Sequence, residues 1–235
     1  MPECHSTNTL ALELCQQSHT PDGTLIITDR QTSGRGQRGN SWESHPGMNL
    51  TFSVILKPTF LAVKDQFLLS MLTSLAIHNY LSETCPQAVS IKWPNDILIK
   101  QFKICGILIE NQLVGDQVNN TVIGIGLNIN QQEFGVQRAT SLSLETGQKY
   151  DLQNVLEGLL SHLEVRYLQL RQGRAALLRE DYLKNLYRFN QRHTFQSGDV
   201  RFEGKILGVD GQGKLRVAIG EQEKTFGVKE IFFAD

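Results

Sequence analysis

Residues 32–42 read Thr-Ser-Gly-Arg-Gly-Gln-Arg-Gly-Asn-Ser-Trp, and the rest of the chain is organised around this stretch. Its three glycines give a backbone that can turn through positive φ and pass close to a ligand. Arg35 and Arg38 add permanent cations whose planar forks match carboxylate and phosphate oxygens, and Trp42 adds a large ring. The stretch predicts a loop that closes over a small anionic ligand. An ordinary solvated turn is the alternative.

Two common glycine-rich motifs do not fit this loop. A phosphate-binding P-loop ends in Gly-Lys-Ser/Thr, whereas Gly39 is followed by Asn40 and Ser41. An RNA-binding arginine–glycine tail would repeat many times, and this motif occurs once. Because glycine loses the most backbone freedom on ordering, we expect residues 34–42 to be mobile without ligand and ordered with it.

Composition narrows the class of protein. Hydrophobic residues make up 40% of the 235 residues, which is enough for a real core and argues against disorder. The 23 Lys and Arg balance 24 Asp and Glu to a net charge of −1, so we expect no DNA binding and no membrane attraction. The absence of a signal peptide and the four scattered cysteines predict free thiols in the cytoplasm. The histidines lack ligand spacing, which argues against a metal site held by the protein.

Hydrophobic periodicity predicts the elements that flank the loop. Ser6 or Thr7 can cap a first helix, and a β-branched strand at 24–28 leads to Gln31 just before the loop. Alternation over residues 50–56 predicts a strand with one buried face. Helical spacing predicts a helix from about 61 to 84.

Further strands and helices follow in the same manner. We expect a mixed sheet backed by helices, with the motifs on one face. Its strands are predicted near residues 24–30, 49–57, 88–92, 96–100, 103–113 and 118–128. Apolar stripes at 152–163 and 178–186 predict two more helices.

The pattern of hydrophobic residues changes after about residue 192. Short strands are predicted near 200–203, 205–207, 215–218, 224–226 and 231–233, with a turn signal at 210–213. This pattern predicts a small SH3-like barrel. The chain therefore divides into a main domain of residues 1–190 and a small C-terminal β-barrel domain of residues 191–235.

A second motif, Lys-Trp-Pro-Asn-Asp at residues 92–96, joins two predicted strands. Pro94 keeps Trp93 extended, and Asn95 and Asp96 favour a tight turn by bonding nearby backbone amides. Lys92 would then point from a strand end toward whatever the turn faces. A solvated lysine is the alternative interpretation.

Taken together, the motifs resemble those of the biotin protein ligase family, in the same order and over nearly the whole chain. The segments that carry the resemblance are residues 34–42, 92–96, 106–110 (Gly-Ile-Leu-Ile-Glu) and 124–128 (Gly-Ile-Gly-Leu-Asn), with Ser-Thr-Asn at 6–8 and Arg-Ala-Thr-Ser-Leu at 138–142.

This resemblance implies an α+β fold. It consists of a mixed β-sheet catalytic domain backed by helices, like that of class II aminoacyl-tRNA synthetases, with a small C-terminal SH3-like barrel. It implies an ATP-dependent ligase that makes biotinyl-5′-AMP with Mg²⁺. The biotinyl group would pass to one lysine of a carrier, such as the biotin carboxyl carrier protein of acetyl-CoA carboxylase. The resemblance allows a homodimer. Because Ser-Thr-Asn starts at residue 6, we expect the form without an N-terminal DNA-binding domain.

The resemblance also implies roles for individual residues. Those expected to be catalytic are Lys92, Arg35 and Arg38. Those expected to bind biotin are Ser6, Thr7, Asn8, Gln31, Gly34, Arg35, Gly36, Gln37, Lys92 and Gly106. Those expected to bind ATP are Arg38, Trp42, Asn95 and Asn128, with Trp42 packed against the adenine. No residue is expected to ligate a metal on its own. Some family members carry Arg where this chain has Gln37, and an amide cannot supply that charge.

Three other classes of protein compete with this interpretation. A lipoate or octanoate ligase or transferase of related fold matches the element order but lacks the Lys-Trp-Pro-Asn-Asp motif. A nucleic-acid-binding module is disfavoured by the near-zero net charge. A dinucleotide-binding dehydrogenase is disfavoured because Gly124 and Gly126 are not followed by a third glycine.

Overall fold

The computed structural model describes residues 1–17, 20–135 and 137–234, with the backbone alone for Arg38. The helices are α1 Thr7–Cys15, α2 Phe67–Thr84, α3 Leu142–Thr146, α4 Leu152–Arg171 and α5 Ala175–Lys184. The strands of the main sheet and its margin are β1 Glu3–Cys4, β2 Thr24–Thr28, β3 Arg30–Gln31, β4 Leu50–Leu56, β5 Val89–Lys92, β6 Asp96–Ile99, β7 Phe102–Val114 and β8 Gln117–Leu127. The C-terminal strands are β9 Arg192–Ser197, β10 Val200–Val209, β11 Leu215–Ile219, β12 Gln222–Phe226 and β13 Phe232–Phe233.

The main sheet has the order β2-β4-β8-β7-β6-β5 in the part of the chain that the structure describes. The predicted α+β class is confirmed, and the strands lie where hydrophobic periodicity placed them. Each neighbouring pair of this sheet is antiparallel. Strands β5 to β8 follow one another through short turns, which allow antiparallel pairing. Parallel pairing occurs outside it, between β1 and β3.

Strand β4 is buried on both faces, whereas its alternating pattern predicted one buried face. The main core covers Leu50, Phe52 and Val54 on one side. Helix α1 covers the other side, where Ala11 packs with Ile55 of β4. The small polar residues on this second face of β4 are therefore buried beneath α1, and the first residues of the helix lie against the sheet.

Helix α2 begins at Phe67, after a 3₁₀ turn at Val63–Asp65, rather than at the predicted residue 61. Leu69, Leu72 and Leu75 are fully buried. Its other faces pack on α4, α5 and the sheet, which is the arrangement expected of a helix that is apolar almost all round.

The C-terminal strands form an antiparallel sheet in the order β12-β11-β10-β9-β13 among the described residues. Strand β10 is continuous where the sequence suggested two strands, and β9 was not predicted. Phe195 and Val217 belong to the same hydrophobic cluster as the main sheet. The indole N–H of Trp93 donates to the carbonyl of Gly213 at 2.9 Å, which ties the β5–β6 turn to this sheet. The boundary near residue 190 stays a prediction.

Two sequence-based expectations concern cysteines and membranes. Cys4, Cys15, Cys85 and Cys105 are all free thiols. In the ranges that the structure describes, no helix combines the length and hydrophobicity needed to cross a bilayer.

Candidate functional site

A cavity of about 120 Å³ opens on the face of the main sheet that carries α1, below the glycine–arginine loop. Most of the residues predicted to bind biotin meet here. Those that line it are Ser6, Thr7, Asn8, Gln31, Arg35, Gly36, Gln37 and Gly106, together with Trp42 and Asn95 from the predicted ATP set. The side chain of Arg38 lies outside the described structure, so its predicted role stays a prediction.

The start of α1 supplies a buried polar cluster to this cavity. Ser6 caps the helix by accepting from the N–H of Thr9 at 3.5 Å. The side-chain oxygen of Gln31 accepts from the backbone N–H of Thr7 at 2.8 Å, and Ser53 of β4 lies within hydrogen-bond distance of Thr7 at 2.8 Å. Ser6, Thr7 and Ser53 are nearly closed to water and Gln31 is half-buried, so their hydrogen bonds hold them in fixed orientations.

Asn8 connects this cluster to strands β7 and β8. Its side-chain N–H₂ donates to the carbonyl of Leu108 at 3.1 Å and to the Glu110 carboxylate at 3.0 Å. Its oxygen accepts from Ser53 at 2.6 Å. A Cβ at Gly124 would overlap that oxygen and lie 3.0 Å from the amide nitrogen, which explains the first glycine of the Gly-Ile-Gly motif.

The glycine–arginine loop folds back on itself as a tight hairpin. Trp42 donates its backbone N–H to Gly34 at 3.0 Å, and Gly36 donates to Asn40 at 2.7 Å. A 3₁₀ turn, Gln37–Gly39, closes the tip. A Cβ at Gly34 would overlap the Trp42 carbonyl oxygen, so this glycine serves the close approach of the loop strands. Ligand-dependent ordering of the loop stays a prediction.

Trp42 forms a wall of the cavity. Its ring lies against Gly106 of β7 and Gly126 of β8, which pair across the sheet. The ammonium of Lys103 lies 5.8 Å from the ring centroid. The indole nitrogen is buried and has no hydrogen-bond partner among the described residues, so it is an unsatisfied donor at this wall. Packing of Trp42 on adenine stays a prediction.

Arg35 is held by a carboxylate that the sequence analysis gave no role. Its guanidinium forms a two-pronged pair with Glu110, at 2.6 Å and 3.2 Å, and also donates to Thr9 at 3.3 Å. Glu110 is the last residue of the Gly-Ile-Leu-Ile-Glu motif. Its position in that motif was the only sequence signal that could have indicated it.

Lys103 is a second cation at the cavity that sequence reasoning missed. Its ammonium lies 2.7 Å from the carboxylate of Asp96, and both side chains are partly exposed. Lys103 pairs with Leu98 across the β6–β7 hairpin and lines the cavity. The sequence places Lys103 three residues before Gly106, but nothing in its spacing shows that it lines the same cavity as Arg35.

Lys92 lines a larger adjoining cavity of about 500 Å³, bounded by the C-terminal sheet. Its ammonium lies 5.0 Å from the ring centroid of Phe233. Gln37, Asn40 and Asp96 line both cavities, so the loop and the Lys-Trp-Pro-Asn-Asp motif face the same region. Lys92 and Arg35 nevertheless occupy neighbouring compartments rather than one.

Two predicted ATP-binding asparagines make structural hydrogen bonds. The side chain of Asn95 donates to the carbonyl of Ile107 at 2.8 Å, which ties the turn to β7 rather than to the turn's own amides. Asn128 donates to the carbonyl of Thr140 at 3.0 Å and is almost fully buried. Asn128 lines neither cavity, so its contact with the nucleotide stays a prediction.

Comparisons with known proteins agree with this geometry. Residues 2–128 match the model of the biotin/lipoate A/B protein ligase family. The chain is 37% identical to the bifunctional ligase/repressor BirA of Bacillus subtilis, over 98% of this chain and 70% of that protein. It is 28% identical to the biotin–[acetyl-CoA-carboxylase] ligase of Paracoccus denitrificans, over 97% of each chain. The biotin protein ligase of Aquifex aeolicus, solved with biotin and ATP, superposes with a TM-score of 0.80 at 27% identity, covering 99% of this chain and 96% of that one.

Proposed function

The chain belongs to the biotin/lipoate A/B protein ligase family, and on that premise we propose that it is an ATP-dependent biotin protein ligase. In the first step the biotin carboxylate attacks the α-phosphorus of ATP, giving biotinyl-5′-AMP and pyrophosphate. In the second step the amine of a carrier lysine attacks the acyl carbon and AMP leaves. The observation that carries the proposal is the cavity in which a buried polar cluster adjoins Arg35 and Lys103.

The two compartments suit the two substrates. The smaller cavity combines amide and hydroxyl groups of Thr7, Asn8 and Gln31 with the apolar ring of Trp42. Biotin has a polar ureido ring on an apolar bicycle, which fits that mixture. The adjoining cavity of about 500 Å³ is large enough for nucleotide phosphates and carries the Lys92 ammonium.

The main contribution of the protein to the first step is positive charge beside the reacting groups. The biotin carboxylate and the α-phosphate repel each other, so cations held in place before the reaction lower the barrier. Arg35 is fixed by Glu110 and Lys103 by Asp96. Lys92 supplies a third cation from the nucleotide side.

The second step needs no nucleophile from the protein. Cys105 lies on β7 next to the cavity, but it is fully buried, and this burial raises the pKa of its thiol. A buried neutral thiol is a poor nucleophile. The acceptor amine therefore comes from the carrier, for which we propose a biotin carboxyl carrier domain.

Mg²⁺ fits this site as a companion of ATP. Across the described residues, no group of three or more His, Cys, Asp or Glu side chains could hold a metal ion. Mg²⁺ commonly binds through substrate phosphates with one or two carboxylates. Asp96, which lines both cavities, is the carboxylate placed to contribute. The ion would neutralise charge on the phosphates.

Exchange of labelled pyrophosphate into ATP tests the proposed function. Biotin should support exchange, and lipoate and octanoate should not, because the polar cluster complements the ureido ring that those acids lack. Faster exchange with lipoate than with biotin would favour the related lipoate ligase activity instead. Transfer is then followed as biotin attached to a purified carrier domain.

Lys92→Ala is expected to fold normally and to reduce pyrophosphate exchange about a hundredfold. The side chain is half-buried, and its contact with Phe233 contributes roughly 0.5–1 kcal/mol. Because Lys92 lines the cavity proposed for the nucleotide, we expect the variant mainly to need a higher ATP concentration for half-maximal exchange. Lys92→Arg should rescue poorly, because a guanidinium fork is larger and differently aimed. Lys224→Ala, on an exposed strand of the C-terminal sheet, is the control. A fully active Lys92→Ala variant would remove this residue from the mechanism.

A further inference from the structure

We propose that Glu110 is a positioning residue that couples the glycine–arginine loop to the polar cluster of the smaller cavity. The proposal rests on the function proposed above, because it assigns the carboxylate a role in biotin binding. Glu110 belongs to neither predicted site set. It is nevertheless the one group that bonds both Arg35 of the loop and Asn8 of α1 within the described residues.

The contact with the loop is geometrically specific. Both carboxylate oxygens of Glu110 engage the fork of Arg35, at 2.6 Å and 3.2 Å. Such a two-pronged pair fixes the plane of the guanidinium as well as its distance. With Thr9, these contacts use three of the five guanidinium N–H groups. The remaining donors can bond a ligand anion while Arg35 stays on Glu110.

The contact with the polar cluster runs through Asn8. The Glu110 oxygen that faces Arg35 at 3.2 Å also accepts from the Asn8 amide at 3.0 Å. The Asn8 oxygen can only accept, so the Ser53 hydroxyl must give its single proton to it. That assignment leaves Ser53 to accept from the Thr7 hydroxyl, 2.8 Å away. The orientation of Asn8 thus sets the proton arrangement deeper in the cluster.

Only a carboxylate satisfies both neighbours. Arg35 and the Asn8 amide both present donors, so the group between them must accept on two sides. A glutamine in its place keeps only one acceptor oxygen. With that oxygen in the shared position, its N–H₂ group would face the Arg35 nitrogen that Glu110 accepts from at 2.6 Å, and the fork would lose this prong. In the other orientation, the Asn8 amide and the second Arg35 prong would both lose their acceptor.

An opposite role for the same ion pair is conceivable on electrostatic grounds. If Glu110 competes with the biotin carboxylate for Arg35, the pair is inhibitory, and neutralising Glu110 should strengthen binding of the anion. A neutral ligand, biotinamide, separates the two roles. It keeps the ureido ring that meets the Asn8 cluster but has no carboxylate to compete.

Calorimetric titration of wild type, Glu110→Gln and Glu223→Gln with biotin and with biotinamide tests the proposal. Glu223 forms an equally close two-pronged pair with Arg216 in the C-terminal sheet, so Glu223→Gln is a matched control expected to bind as wild type. Glu110→Gln should weaken both ligands by about tenfold. Tighter biotin with unchanged biotinamide would overturn the proposal in favour of the inhibitory role, and unchanged binding of both would overturn it outright.

A second variant covers the case in which Glu110→Gln does not fold. Arg35→Gln leaves Asn8 untouched, yet the coupling predicts faster hydrogen exchange at the start of α1 as well as in the loop. Unchanged exchange at residues 7–9 would contradict the coupling. The titration of the wild-type chain tests the proposed function separately. A wild-type chain that binds no biotin would refute that function, whereas the two variants test the role of Glu110.

Discussion

Lys103→Ala is expected to lose biotin-dependent pyrophosphate exchange by about a hundredfold to a thousandfold. Lys103 lines the smaller cavity, and Asp96 holds its ammonium at 2.7 Å. A cation fixed in this way stabilises charge that develops between the biotin carboxylate and the α-phosphate without reorganising during the reaction. Removing one preorganised electrostatic donor from such a site typically costs about 10²–10³ in rate.

The same substitution should leave the fold nearly unchanged. The side chains of Lys103 and Asp96 are 39% and 26% exposed, so solvent screens much of their attraction. Pairs of this kind contribute about 0–1 kcal/mol to stability. We therefore expect a melting temperature within a few degrees of that of the wild type.

Two controls separate a catalytic loss from a structural one. Lys224→Ala removes an exposed lysine far from the cavity and should exchange pyrophosphate as wild type does. Asp96→Asn keeps the lysine but loosens its position and removes the carboxylate proposed for Mg²⁺, so its rate should also fall, and added Mg²⁺ should restore only the part of the loss that comes from the metal. Near-normal exchange by Lys103→Ala would show that Arg35 and Lys92 suffice for the first step.

Most helices and strands could be predicted, because the spacing of apolar and β-branched residues along the chain reports whether a segment favours helix or strand. The β-branched run at Thr24–Thr28 and the stripe of α4 are set by spacing along the chain. Strand β9 escaped prediction because Phe195 is its single buried residue, and the strand depends on pairing with β10 and β13. The second buried face of β4 depends on α1, which lies far from it in sequence.

One part of the site could likewise be predicted from local sequence, and another part could not. Residue types in the loop predicted anion binding, and Arg35 does line the cavity. The partners that orient its cations were not predictable, because Glu110 lies 75 residues from Arg35. Register across the β6–β7 hairpin, rather than sequence spacing, places Lys103 beside Trp42. Asn128 also makes a structural hydrogen bond that its motif position did not indicate, and its contact with the nucleotide stays a prediction.

Gly126→Ala is expected to reduce pyrophosphate exchange about a hundredfold through Trp42. A Cβ at this position would overlap Cε2 of the indole and lie 2.6 Å from its nitrogen. Gly126 lies one residue before the end of β8, but it pairs with Thr51 of β4 and Gly106 of β7, which hold the strand from both sides. The ring must move instead, and the loop that carries Arg35 moves with it.

Gly126→Ala should reduce the exchange rate more than the stability, because the displaced ring lies at the site rather than in the core. Trp42 is half-buried on a loop, so the fold should lose no more than the roughly 1–3 kcal/mol typical of overpacking. A shift of about 1 Å in groups that position reactants can cost about 10²-fold in rate. Melting temperature and exchange rate are therefore measured together, with Gly211→Ala as the matched control because its Cβ would meet nothing within 4 Å. If the collision with the indole is the cause, adding Gly126→Ala to a Trp42→Ala variant should have little further effect. Wild-type exchange by Gly126→Ala would mean that Trp42 does not rest on β8 in the working enzyme.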